Sequence, residues 1–164
     1  MAKSKDQKKA IVERLTDAFA NSASSVFVHF KGMNVSEETE MRNALRAQGV
    51  SYYVARKTLI KRATDASNVS GTAPELEGEI AIAYGGADAS APAGGVFSFV
   101  KKFKDKLAIV GGIFEGAFKN KAEMNDIATI PPMPVLRGMF VNVINSPIQG
   151  MAIVLKAIAD KKSQ

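Results

Sequence analysis

The sequence predicts an α/β protein: an N-terminal α/β domain with a mixed sheet flanked by helices, followed by a protruding C-terminal α-helix. Three observations predict it. Short β-branched or aromatic runs at residues 26–30, 50–54, 80–84 and 107–114 alternate with stretches of helical periodicity, the order that builds βαβ units. Prolines at 131, 132 and 134 then form the clearest boundary in the chain. Beyond them, no charged side chain occurs between Arg137 and Lys156. These signals divide the chain into an α/β domain (1–130), a proline-rich hinge (131–134) and a C-terminal helix (135–164).

Residues 8–20 place Ile11, Leu15 and Ala18 or Phe19 on one face, which predicts a first helix. The run VFVHF at 26–30, ended by Lys31 and Gly32, reads as a buried strand and then a turn. Ser36 is the predicted cap of a second helix, Glu37 and Glu38 suit its positive end, and Gly49 is its stop. A second strand at 50–54 precedes a helix at 57–64, with Leu59 and Ala63 inward and Lys57, Lys61 and Arg62 outward. A polar loop at 66–79 leads to the third strand. Pro92 opens a helix running to 104. Gly111 and Gly112 predict a bulge in the fourth strand, and a short helix at 122–128 ends at the prolines.

Composition narrows function. A chain of 164 residues, 46% hydrophobic, holds one well-buried domain and an appendage. Without cysteine there are no disulfides, thiolate chemistry or Cys-based metal sites. The basic N-terminus has no apolar signal region, which predicts a cytoplasmic address. The single histidine, His29, lies in an apolar strand and reads as structural. Glycine pairs at 85–86, 94–95 and 111–112 match neither phosphate-loop pattern, so turns and close packing explain them. Glu75, Glu77 and Glu79 alternate in a polar loop as a solvated rim. No enzyme, cofactor or metal is predicted.

The net charge of +6 is concentrated: residues 1–63 hold 12 Lys and Arg against 6 Asp and Glu, and the rest of the chain is balanced. That is the footprint of a polyanion-binding face. Its candidate members are Lys8 and Lys9 of the first helix, Lys31 and Gly32 in FKGMNV, and Arg56, Lys57, Thr58, Lys61 and Arg62 in YYVARKTLIKRA. Lys57 and Lys61 stack one helical turn apart and can follow a phosphate backbone. If the strands before Lys31 and Arg56 end at the same sheet edge, the two clusters converge. Folded RNA is read through shape and phosphates, which suits such a set.

The segment KGMNVSEETEMRNALRAQGVSYYVARKTLIKRA resembles the N-terminal domain of the bacterial large-subunit ribosomal protein ten family, the stalk-base proteins. That family's pattern is Arg-Gly, a Leu-Arg-rich helix, a strand and Val-x-Lys-Asn-Thr-Leu. The later AIVGGIFEG, the length and the apolar tail extend the resemblance over the whole chain. By this similarity Lys31 and Gly32 take the Arg-Gly positions, and Arg56 and Thr58 the Lys and Thr of the second motif. Lys57 stands where the family commonly has Asn, adding a charge. The resemblance implies a non-enzymatic scaffold on the large ribosomal subunit, bound to large-subunit rRNA near ribosomal protein eleven.

Projected at roughly 100° per residue, the tail gathers Gly138, Asn142, Asn145, Gln149, Ala152, Lys156 and Asp160 in one stripe, with Ile153 intruding. Leu136, Phe140, Val143, Ile144, Ile148, Met151, Leu155 and Ile158 occupy most of the remaining circumference. Packing on a parent domain needs only one apolar face. The polar interruptions argue against a membrane span, and the proline boundary against burial in the chain's own core, which leaves a docking rail for partner proteins. The resemblance implies that the partners are dimers of the acidic stalk protein (ribosomal protein seven/twelve), which recruit translation GTPases. Pro147 and Gly150 predict a division near residue 147 and hence two dimers. Two rival readings are a peripheral membrane protein with an amphipathic tail, whose polar stripe should be rich in Lys and Arg, and a small nucleotide-handling α/β enzyme.

Overall fold

The computed structural model describes residues 4–67, 69–71, 73–74, 76–85, 88–103 and 106–162. Along the chain these form α1 (Lys5–Asn21), β1 (Ser24–Phe30), α2 (Val35–Ala47), β2 (Val50–Val54), α3 (Lys57–Ala66), β3 (Ile80–Gly85), α4 (Ala91–Lys102), β4 (Leu107–Phe114), β5 (Ala117–Asn120), α5 (Lys121–Thr129) and α6 (Met133–Lys162). Glu75, Gly86 and Lys104, which the sequence assigned to the acidic rim, a glycine pair and a helix end, lie outside the described residues.

The α/β class stands, but the sheet is not mixed. Its strands run in the order β2-β3-β1-β4-β5 and every strand pairing is antiparallel. Among the described residues the one parallel contact is an isolated bridge between Ser70 and Ala117. The crossover β1-α2-β2 does return the chain in its original direction, yet it leaves a gap, and β3 enters that gap antiparallel to both neighbours. Runs such as VFVHF are apolar on both faces because helices cover both sides, a pattern shared with parallel sheets.

Alternation along β1 sorts the core. Val26 and Val28 pack with Met41 and Leu45 of α2, Val96 of α4 and Met124 of α5. Phe27 points the other way, to Leu15 and Phe19 of α1 and Ile60 and Ala63 of α3. The result is a helix–sheet–helix sandwich in which each buried Leu, Ile or Phe contributes about 1.5–3 kcal/mol of burial.

Local chemistry sets the element ends. Asn34, not Ser36, caps α2: its backbone N–H donates to Glu37 Oε2 at 2.9 Å in a capping box. Gly49 ends that helix at φ +74. The bulge in β4 falls at Val110, skipped between the pairs Phe27–Gly111 and Val28–Ile109, one residue before the expected glycines. Glycine pairs in β4 and α4 serve packing: a Cβ on Gly112 would lie 2.5 Å from Ser25 O, and one on Gly95 2.8 Å from Leu45 Cδ2. β5 is an element the sequence reading missed. It pairs with β4 across the turn Glu115–Gly116, whose φ values of +50 and +77 fit a tight hairpin.

Two compact units result, Met1–Ile130 and Pro131–Gln164. The second unit is helical from Met133, so α6 begins within the stretch 131–134 that the sequence marks as a proline-rich hinge. Pro132 supplies the carbonyl that accepts from Val135 and Leu136 N–H at 2.9 and 3.0 Å, while Pro134 sits in the first turn, where a missing N–H costs nothing. The expected division at Pro147 is absent: α6 runs through it as one helix, since the fixed φ of proline is itself helical and the break is confined to local hydrogen bonds.

Candidate functional site

β1 and β2 are each antiparallel to the β3 between them, so they run in the same direction and their C-terminal ends share one sheet edge. Lys31 and Gly32 follow β1 there, and Arg56 and Lys57 follow β2. Gly32 holds φ +65 and a Cβ on it would meet nothing within 4 Å, so the turn demands glycine for its backbone and faces open space. The turn is pinned from behind: Lys31 N–H donates to Lys106 O at 2.9 Å, and Lys106 Nζ donates to both carboxylate oxygens of Glu37 at 2.7 and 3.0 Å. The Lys106 ammonium, followed by the Asn34 N–H, holds the Glu37 carboxyl below its ordinary value.

Arg56, Lys57 and Thr58 line a cleft of about 590 Å³ floored by Phe30, Tyr53 and Ile80. Lys57 and Thr58 also face a second cleft of about 500 Å³, joined there by Lys61. Lys8, Lys9 and Arg62 meet in a groove between α1 and α3, with Lys5, which the sequence reading had not singled out. The predicted basic residues of α1 and α3 therefore share one helical layer, and Lys31 with Gly32 stands at its sheet-edge end. Glu79 and Glu77 are exposed and sit on the rims of the two clefts.

The start of α3 differs from those of α1, α2 and α5, which have capping boxes and an acidic residue in the first turn. α3 has neither: Arg56 is its cap residue, with no side-chain cap hydrogen bond, and the first turn carries no acid. Its partial positive charge, with no side chain capping the first-turn N–H groups among the described residues, thus adds to Arg56 and Lys57, an arrangement suited to a phosphate. Absence of Ser, Asp or Asn before a basic helix was the readable signal.

Three further cations were missed. Arg14 of α1 and Arg42 and Arg46 of α2 surround a depression of about 180 Å³ at β2, together with Tyr52, Tyr53 and Tyr84. The Arg14 guanidinium lies 5.2 Å from the Tyr53 ring centroid and that of Arg42 lies 5.6 Å from Tyr52. Burial pushes the Tyr52 phenol up, with the Glu38 carboxylate adding to the effect, so it remains a neutral hydroxyl. The i,i+4 spacing of Arg42 and Arg46 was visible in sequence; the approach of Arg14 is tertiary.

His29 is partly buried on β1, and a Cβ on Gly78 would overlap its imidazole, so the ring packs against backbone. Among the described residues no group of three His, Cys, Asp or Glu side chains is placed to hold a metal.

In α6 the eight predicted docking residues are all exposed, from 40% at Leu136 to 70% at Val143. Met133, Val135, Met139, Val141, Ile153 and Val154 join them. By length and composition alone Met133–Lys161 would also cross a membrane. An apolar surface this long on a single helix requires a covering.

Comparison with known proteins selects among these readings. Residues 3–101 match the family described as Ribosomal protein L10, and residues 131–164 match Ribosomal protein uL10 C-terminal region. The large ribosomal subunit protein uL10 of Shouchella clausii (strain KSM-K16) is 35% identical over 164 residues, spanning 100% of this chain and 98% of that protein. Both units are thus accounted for by one family, and the chain belongs to the ribosomal protein L10 family.

Proposed function

We propose that the first unit binds large-subunit rRNA through the basic layer and that α6 is a rail for dimers of the acidic stalk protein. Family membership carries the coarser statement: this is a structural, non-enzymatic protein of the large ribosomal subunit, at the base of its stalk, and its address is the cytoplasm. The observation that carries the RNA half is convergence of Lys8, Lys9, Arg56, Lys57, Thr58, Lys61 and Arg62 on α1, α3 and their clefts, beside Lys31 and Gly32. Ribosomal protein eleven would be a neighbour on the same rRNA.

The rail reading rests on the exposed apolar circumference of α6. A helix sheathed by partners buries several sides at once, and Leu136, Phe140, Val143, Ile144, Ile148, Met151, Leu155 and Ile158 supply them. Two dimers remain the proposed count, resting on the length of the 30-residue α6 rather than on a break at Pro147. Tethering raises the local concentration of recruiting domains for translation GTPases, and the chemistry belongs to those factors.

Native mass spectrometry of this chain co-expressed with the acidic stalk protein tests the rail. Four copies on the intact chain and none on a chain ending at Ile130 are expected. Six copies would overturn the count alone, and none on the intact chain would overturn the rail. For the RNA face, Arg56→Glu with Lys57→Glu and Lys61→Glu should weaken binding to an rRNA fragment steeply at physiological salt.

A further inference from the structure

The basic excess of the first 63 residues lines more than one depression, and the Arg56 cleft meets the depression at Arg14, Arg42 and Arg46 only through Tyr53. Lys8, Lys9, Lys57, Lys61 and Arg62 belong to the α1–α3 layer and its clefts, whereas Arg14, Arg42 and Arg46 gather at β2. β2 is a terminal strand of the sheet. The opposite terminal strand, β5, is partly covered: Phe118 N–H donates to Ser70 O at 2.9 Å and Ser70 N–H to Gly116 O at 3.1 Å. Among the described residues no such segment lies on β2.

We infer that the Arg14–Arg42–Arg46 cluster at the β2 edge is a second RNA-phosphate contact, so that the domain bridges two separate segments of RNA. The inference rests on the rRNA reading above and adds a second, distinct surface to it. All three arginines are exposed, and they approach the strand from both helical layers, Arg14 from α1 and Arg42 and Arg46 from α2. Arg42 and Arg46 are about 6 Å apart along the helix axis, which lets them engage successive phosphates. The Arg14 and Arg42 guanidinium groups lie over the Tyr53 and Tyr52 rings, which holds them at the strand; Arg42 gives one nitrogen to Glu38, and its remaining N–H groups and those of Arg14 are the ones that would donate to phosphate. The Glu38 carboxylate is paired with Arg42 at 2.7 Å. Among the described residues neither Arg14 nor Arg46 is in an ion pair, so neutralising them removes charge without orphaning a carboxylate.

The test compares three full-length proteins on a large-subunit rRNA fragment across a salt series, with hydroxyl-radical footprinting: the parent chain, Arg14→Gln with Arg46→Gln, and Lys57→Gln with Lys61→Gln. Circular dichroism melts establish that each variant is folded. The arginine variant should lower the slope of log affinity against log salt by roughly two. It should also lose protection at nucleotides that the lysine variant still protects. An unchanged slope in the arginine variant, with the lysine variant weakened, overturns the second face and leaves the first intact. Loss of the same nucleotides in both variants overturns the bridge in favour of one continuous surface. If neither variant changes affinity, the rRNA reading of both faces fails. Binding of the parent chain to poly-glutamate that the arginine pair alone abolishes, with RNA affinity unaltered, reassigns the edge to an acidic protein and overturns the inference.

Discussion

Glu37 joins three things that the sequence keeps apart: the cap of α2, the start of β4 and the turn at Lys31 and Gly32. Its carboxylate accepts from Asn34 N–H and Lys106 Nζ, and Lys106 in turn accepts from Lys31 N–H. Because the Lys106 ammonium lowers the Glu37 pKa on folding, the associated stability is fully present above the ordinary value of 4.5 and is lost as pH falls through the lowered one. Glu37→Gln should therefore lower the urea midpoint at neutral pH, and the gap from the parent chain should close as pH falls through the lowered pKa and Glu37 becomes protonated. A gap that persists in acid would mean that the carboxamide has disrupted the cap rather than the ion pair. At Gly32 the constraint is the backbone alone, φ +65 with open space before it. Gly32→Ala should cost about 1 kcal/mol, and Gly32→Asn less, because asparagine tolerates the left-handed region. Paired denaturation curves decide the order of the two variants.

At the scale of elements, what could be read from the sequence depended on whether a segment's pattern was local. β1 to β4 and the cores of α1 to α5 follow from apolar runs and helical spacing within single windows. β5 did not, because AFKN is four residues long and its identity comes from pairing with β4 and from a Glu-Gly turn that forces the chain back. Sheet direction was equally hidden: the order of strands and helices fits βαβ units, and only the insertion of β3 between β2 and β1 makes every pair antiparallel. The basic layer was legible residue by residue, since charge is a local property, whereas the β2 cluster required α1 and α2 to arrive on opposite sides of one strand. In α6 the local signal misled, because a proline interrupts hydrogen bonding without ending the helix. Pro147→Ala should raise the helical circular dichroism of the full chain and its resistance to thermal fraying, in keeping with a proline penalty of about 3 kcal/mol inside a helix. If the proline also separates two docking segments, the same variant should alter the number of acidic dimers seen in native mass spectra.

For the whole molecule, the buried core and the long exposed apolar surface belong to different units. Among the described residues every buried hydrophobic side chain, from Leu15 to Ala128, belongs to Met1–Ile130, whereas α6 holds large exposed apolar side chains along its length. A chain ending at Ile130 keeps both core clusters and should melt within about 3 °C of the intact protein, a shift that corresponds to ~1 kcal/mol or less at this size. The intact chain, purified without its partners, has a 30-residue helix with Phe140, Val143, Ile148 and Met151 each at least two-thirds exposed. Hydrophobic burial is non-directional, so in the absence of acidic dimers those residues should pair with copies of themselves. Sedimentation velocity should show concentration-dependent association for the intact chain, a monomer for the chain ending at Ile130, and suppression of self-association when the acidic stalk protein is added. Self-association that survives the truncation would place the sticky surface in the first unit, with the uncovered edge of β2 as the place to look. Self-association that survives addition of the stalk protein would mean that the helix carries an apolar face which those dimers do not use.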